Sequence, residues 1–353
     1  MEIGIVGLPN VGKSSLFNAL TKAGAAASNF PFTTIEPNVG VVAVPDERLE
    51  FLVKIFSSAK TVPATIRFVD IAGLVKGAAA GEGLSNKFLS HIRSVDAIAE
   101  VVRVFDDANV IHVHGSVNPE ADISTINTEL LIADLEQATK AERQLAERVK
   151  KQDKEAIALL PKLTQATELM NNDKPLRTQP ELATELAEYQ FLTAKPLLYI
   201  ANVSDSATDG AAITQHATKE GAEVITINVK AEQEIVELPE AEQIEYRTEL
   251  GLKSGLDEMI KASYELLGLI TFFTAGPTEA HAWTITKGTK APQAAGKIHT
   301  DFEKGFIRAQ VYNVADLEQL GSEKAIKDAG KMRSEGKEYV FQDGDVVEFL
   351  FNV

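Results

Sequence analysis

One eight-residue stretch near the N-terminus constrains this chain more than any other. Gly7-Leu8-Pro9-Asn10-Val11-Gly12-Lys13-Ser14 matches the Gly-x4-Gly-Lys-Ser/Thr pattern of a phosphate-binding loop. The pattern alone is short, but its context is the required one. Residues 2–6 are mostly apolar strand formers, and Ser14 to Leu20 reads as a helix. The glycines let successive backbone N–H groups curl around phosphate oxygens. Lys13 adds a point charge beside them, and the Ser14 hydroxyl is suited to coordinate magnesium. Asn10, Val11, Gly12, Lys13, Ser14 and Ser15 are therefore the expected nucleotide-binding residues, with Lys13 also catalytic. Strand, loop and helix in this order open a doubly wound α/β domain.

More strands follow at Val39–Val44, Thr65–Asp70, Ala97–Phe105, Pro196–Ala201 and Glu223–Ile227. Each is a short apolar run, as expected of strands buried on both faces. Asp70-Ile71-Ala72-Gly73 closes one of them. An acid at the C-terminal end of such a strand can hold magnesium, and the N–H of Gly73 can sense a γ-phosphate. Thr34, in Asn29-Phe30-Pro31-Phe32-Thr33-Thr34, is positioned in sequence to complete the metal set of Ser14, Thr34 and Asp70. Regulatory GTPases place a water-orienting glutamine after the Asp-x-x-Gly motif. Here Leu74 follows, and it cannot hydrogen-bond. The loop after strand Ala97–Phe105 carries Ile111-His112-Val113-His114-Gly115. Such loops face the nucleotide, so His112 is a candidate helper; a pair of surface histidines would look the same.

The base-reading motif of GTPases, Asn-Lys-x-Asp after a strand, is matched by Asn202-Val203-Ser204-Asp205. Val203 replaces the lysine whose stem would cover the base, while Asp205 keeps an acid able to pair with guanine. Asn202 and Val203 are expected beside the base, and these residues alone leave adenine against guanine open.

From Pro119 to Ala194 the texture changes. Residues 128–170 hold one proline, Pro161, and no glycine. Leu131, Leu135, Ala138, Leu145 and Val149 recur at heptad-like steps, with a break at Glu142. Lys150-Lys151-Gln152-Asp153-Lys154 reads as the tip of a helical hairpin, with Ala156–Met170 returning. After Gly268 short strands, Leu269–Ala275, His281–Ile285, Phe306–Val311 and Val346–Phe351, surround a helical run, Ser322–Glu335, suggesting a small α+β module. The expected division is a discontinuous nucleotide-binding domain of residues 1–120 and 195–268, a helical insertion of 121–194, and a C-terminal domain of 269–353.

The net charge of -16 repels nucleic acid from the chain as a whole. The excess lies upstream, because residues 269–353 carry 10 Lys+Arg against 12 Asp+Glu. Any RNA contact must come from a local basic patch, such as Lys287, Lys290, Lys297, Lys304 and Arg308, or Lys150, Lys151 and Lys154 at the hairpin tip. The absence of cysteine excludes disulfides and thiolate metal sites. The N-terminus lacks a basic segment, and no apolar run is long enough to span a bilayer. A cytoplasmic protein without membrane contact is expected.

Three long motifs resemble one family closely. They are Gly7 to Ser15, Phe30-Pro31-Phe32-Thr33-Thr34-Ile35-Glu36-Pro37-Asn38, and Asp70-Ile71-Ala72-Gly73-Leu74-Val75-Lys76-Gly77-Ala78. They look like the YchF, or Obg-like ATPase, family. Ala291 to Phe302 and the ending Asp343-Gly344-Asp345-Val346 resemble that family's TGS domain, a β-grasp module. The likeness covers nearly the whole chain. It implies a P-loop GTPase-like fold that prefers ATP, a hydrophobic residue where glutamine is usual, a coiled-coil arm, and association with the ribosome or its RNA through the TGS domain and arm. It also implies a histidine in the loop matching Ile111-His112-Val113. The family usually has Glu where Asp205 stands. The expected function is a magnesium-dependent ATPase switch acting in translation; the alternative is a non-catalytic adaptor that holds nucleotide and binds RNA.

Overall fold

The structure, a computed structural model, describes residues 1–25, 38–71, 86–107, 110–112, 116–204, 211–250 and 253–352. The Thr34, Gly73, Leu74, His114 and Asp205 expectations lie outside these residues.

The strands are β1 (Glu2–Val6), β2 (Val39–Ala43), β3 (Lys60–Val62), β4 (Thr65–Asp70), β5 (Ala97–Arg103), β6 (Leu197–Asn202) and β7 (Glu223–Ile227), then β8 (Leu269–Ala275), β9 (Glu279–Thr286), β10 (Phe306–Asn313), β11 (Arg333–Glu335) and β12 (Asp345–Phe351). Among the described residues they form two six-stranded sheets. The first runs β2-β4-β1-β5-β6-β7, and β1 pairs in parallel with both β4 and β5, as β6 does with β5 and β7. Every residue of β5 and β6 is buried, which fits central strands covered on both faces. β1 feeds α1 (Lys13–Ala25), so the phosphate-binding loop sits at the carboxyl end of a central strand.

After α2 (Glu47–Phe56) and α3 (Asn86–Ser94), the helical insertion is a hairpin of α4 (Pro119–Lys150) and α5 (Lys154–Asn171). Asn118 caps the first helix by accepting from the Ala121 N–H, and Pro119 occupies its first turn, where no N–H partner is needed. Asp153 caps the second helix. Between them Gln152 takes a left-handed φ of 62°. Ala138, Leu145, Ala156, Leu163, Ala166 and Met170 form the seam. Glu142, which breaks the heptad pattern, accepts from the Thr167 hydroxyl at 3.0 Å, a polar rung in that seam. The root of the arm is fastened by Asp134, whose carboxylate accepts the Leu192 and Thr193 N–H groups and the Thr193 hydroxyl at 2.7–2.9 Å.

The second sheet runs β11-β10-β12-β8-β9-β3. The helix Ala291–Ile298 packs its alanines on Phe272, Ile285, Val311 and Phe341 to form the core of the C-terminal module. Two features differ from the sequence expectation. Ser322–Glu335 is not one helix: it stops at Asp328, Gly330 turns the chain at φ 68°, and Arg333–Glu335 becomes β11 paired with β10. Residues 41–66, expected in the nucleotide-binding segment, group with Ile260–Val353, whereas the arm groups with the nucleotide-binding residues. β3 pairs in parallel with β9, and α2 (Glu47–Phe56) belongs to the same compact unit.

Candidate functional site

The loop between β1 and α1 is shaped by two backbone conformations that a side chain would block. Gly7 has φ 148°, and a Cβ there would lie 2.5 Å from the Val101 carbonyl oxygen. Gly12 has φ 104°, and its Cβ would lie 2.4 Å from Asn202 Nδ2. Asn10 adopts a left-handed φ of 62°, which asparagine tolerates. Val11 is buried, Asn10 and Ser14 are exposed, and Ser15 is half-buried at the start of α1. The first N–H groups of this 13-residue helix and its macrodipole favour an anion there.

Lys13 is 8% exposed, and its ammonium donates to the Leu8 carbonyl at 2.7 Å, folding back across the loop. Burial brings its pKa down to about 8, against the opposing pull of Asp70. Burial raises Asp70 above the usual carboxylate range, opposed by Lys13. Asp70 Oδ1 is buried without a hydrogen-bond partner. Its backbone N–H donates to Asn38 and the next N–H, of Ile71, to Ile5, which fixes the carboxylate at the end of β4. An orphaned carboxylate oxygen near the loop that presents Ser14 is a donor set suited to a hard divalent cation such as magnesium. Among the described residues no group of three or more His, Asp or Glu is arranged to hold a metal. Magnesium commonly needs only one or two protein ligands beside phosphate and water.

Asn202 occupies a position that the sequence pattern does not disclose. Its Nδ2 donates to the Val11 carbonyl at 2.8 Å and its Oδ1 accepts the Val229 N–H at 3.2 Å. The asparagine ties β6 to the phosphate loop. Val203 is buried, and its N–H donates to the Ile227 carbonyl at 3.0 Å.

The loop after β5 is also pinned. The Arg103 guanidinium donates to the carbonyls of Phe105, Asp107 and Val110 and lies 4.4 Å above the Phe105 ring. Asn10 Nδ2 donates to the Ile111 carbonyl at 3.1 Å, so the residue before His112 touches the phosphate loop. His112 is buried, with Nε2 2.9 Å from Asp122 Oδ2 in the first turns of α4. The structure thus brings Asn10, Val11, Gly12, Lys13, Asp70 and Asn202 together and sets His112 alongside. Asp122 is absent from the sequence reading: nothing in its spacing from His112 marks it as a partner.

Fold and loop together define a P-loop nucleotide-binding protein of the GTPase type. Residues 2–162 match a family model described as 50S ribosome-binding GTPase, and residues 269–352 match the YchF-GTPase C-terminal model, described as a protein of unknown function. The chain is 52% identical to the Ribosome-binding ATPase YchF of Bacillus subtilis (strain 168), with 100% of both chains covered. It is also 52% identical to the protein of that name from Escherichia coli O157:H7, covering 100% of this chain and 99% of the relative. The solved structure of the Schizosaccharomyces pombe YchF GTPase superposes with a TM-score of 0.91 at 39% identity, covering 99% of this chain and 97% of that one. The chain belongs to the YchF family.

Proposed function

We propose that this chain is a magnesium-dependent ATPase switch that binds the ribosome in the cytoplasm. One observation carries the reading: a buried lysine and an orphaned carboxylate oxygen converge on a glycine-shaped loop, in a chain matched end to end by proteins named ribosome-binding ATPases. Among the described residues no helix is long and apolar enough to cross a membrane.

In this reading the amides of residues 10–15 and the Lys13 ammonium hold the triphosphate and stabilise charge developing on it during transfer. Ser14, Thr34 and Asp70 would hold magnesium, which neutralises phosphate charge when bound. Gly73 reports the γ-phosphate, and His112 helps place the attacking water, a task Leu74 cannot perform. Asn202 and Val203 border the base, and the loss of the lysine at Val203 favours adenine. Residues 1–120 and 195–268 form the nucleotide-binding part. The arm of 121–194 and the module of 269–353 meet the ribosome.

The test is phosphate release from ATP and from GTP, with and without ribosomes. Turnover of ATP faster than GTP, altered by ribosomes, is expected. Tight nucleotide binding with no phosphate release under any condition would establish the non-catalytic adaptor instead.

A further inference from the structure

A histidine that assists hydrolysis must be held in one tautomer and aimed, and the sequence motifs name nothing that does so. We propose that Asp122 is the positioning residue for His112, acting through the histidine without touching nucleotide. This rests on the assignment of His112 to water placement above.

The pair is built, not incidental. The side chains of His112 and Asp122 are 5% and 3% exposed, and Nε2 and Oδ2 are 2.9 Å apart. A buried carboxylate is costly unless paired and hydrogen-bonded, and His112 supplies Asp122 with such a partner. A carboxylate accepting from Nε2–H keeps the proton on that nitrogen. The pairing thus fixes the tautomer and the orientation of the ring.

The two residues are anchored differently. Asp122 lies in a 32-residue helix whose start is fixed by the Asn118 cap, and its own N–H donates to the Asn118 carbonyl. His112 follows Ile111, whose carbonyl is held by Asn10 of the phosphate loop. Asp122 is therefore the fixed pivot, and His112 is the part linked to the nucleotide loop. Catalytic hydrogen bonds often form only in the loaded state, so a covered ring in the free protein is compatible with the role. The pivot also sits at the root of the helical arm.

The experiment is a double-mutant cycle on ATP turnover by the full-length protein, with kcat and KM measured separately and folding checked by thermal melting. Asp122→Asn should lower kcat by about 10- to 100-fold with KM within about twofold, as expected when a base loses its orienting partner. His112→Ala should lower kcat at least as much. The double variant should match His112→Ala, because a residue acting only through the histidine has nothing left to act on. Asp122→Glu should recover part of the lost turnover. A wild-type kcat in Asp122→Asn beside a slowed His112→Ala overturns the positioning role alone. So does an undiminished effect of Asp122→Asn in the His112→Ala background, which would mark Asp122 as merely structural. A wild-type kcat in His112→Ala overturns both this proposal and the reading it rests on. If Asp122→Asn does not fold, Asp122→Ser, which also lacks the carboxylate, takes its place in the cycle, and each outcome is read in the same way.

Discussion

Asn202 Nδ2 donates to the carbonyl of Val11 at 2.8 Å, across 191 residues of sequence. The residue that opens the base motif is thus a strut for the phosphate loop. Its amide is buried, and its other end accepts the Val229 N–H. Replacing it by alanine leaves both a carbonyl and an N–H buried without their partner, which costs about 1–3 kcal/mol for each unsatisfied group. Asn202→Ala should lower the melting temperature and weaken nucleotide binding regardless of the base offered. Thermal melts with and without ATP and GTP check this. Selective loss of one nucleotide would show instead that Asn202 reads the base.

Lys13 is a second case in which folding and function pull apart. Its ammonium is buried and its pKa is depressed by that burial, so the charged form is a local burden in the free protein. Lys13→Ala should abolish hydrolysis while the melting temperature of the nucleotide-free protein holds or rises. Turnover at the wild-type rate in a folded Lys13→Ala protein would contradict its place on the triphosphate.

The buried acid Glu100 gives a pH prediction. It is 1% exposed, neither oxygen has a hydrogen-bond partner, and burial pushes its pKa well above the usual range, with Arg177 opposing the shift and Glu220 and Asp122 reinforcing it. A carboxyl whose folded pKa exceeds its unfolded value binds more protons in the folded state. Its contribution is therefore full below the unfolded pKa and is lost as pH rises from there toward the folded pKa. Glu100→Gln removes the charge and keeps the shape. It should raise the melting temperature at neutral pH by a few degrees, roughly what 1–2 kcal/mol yields in a chain of this size. The gain should vanish at acid pH. A melting temperature that falls at neutral pH, with the loss fading as the pH drops, would mean the carboxylate is ionised and usefully paired.

Much of this fold was legible, and the reasons can be named. Thr65–Asp70, Glu223–Ile227 and Leu269–Ala275 are strands over the very ranges that their apolar runs mark. The arm was legible because its seam repeats and its tip concentrates polar residues. Ser322–Glu335 misled because its alternating charges suit a helix, yet Gly330 was the visible stop signal. The grouping of residues 41–66 with the C-terminal unit was not legible. It rests on pairing Lys60–Val62 with Glu279–His281, more than two hundred residues on, and no local period encodes that. The same holds at the site. The phosphate loop announces itself because successive backbone groups must come from one stretch of chain. The Asn202 strut and the Asp122 pivot are side chains meeting across the fold, and each could have been an ordinary surface residue.

The ribosome contact can be tested by charge. Lys287, Lys290, Lys297, Lys304 and Arg308 are candidates, and Lys287, Lys304 and Arg308 are exposed, whereas Lys290 pairs with Glu338 at 2.5 Å. At the arm tip Lys150 pairs with Glu147 at 2.5 Å, and nearby Arg148 is held by Asp153 and Glu155, so acids are interleaved with the basic residues there. Surface ion pairs of this kind are weak, yet acids beside a lysine dilute its pull on a phosphate. Reversing Lys287, Lys304 and Arg308 to glutamate should therefore weaken pelleting with ribosomes more than reversing Lys150, Lys151 and Lys154. The first set should cost about tenfold or more near physiological salt. It should also flatten the salt dependence, since every phosphate left without its cation takes about 0.7–0.9 off the slope of log affinity against log salt. Removing residues 269–353 altogether should give a larger loss. If both triple variants and the truncated chain pellet like the intact protein across the salt series, neither the module nor the arm tip is the contact surface, and the uptake must run through the nucleotide-binding part.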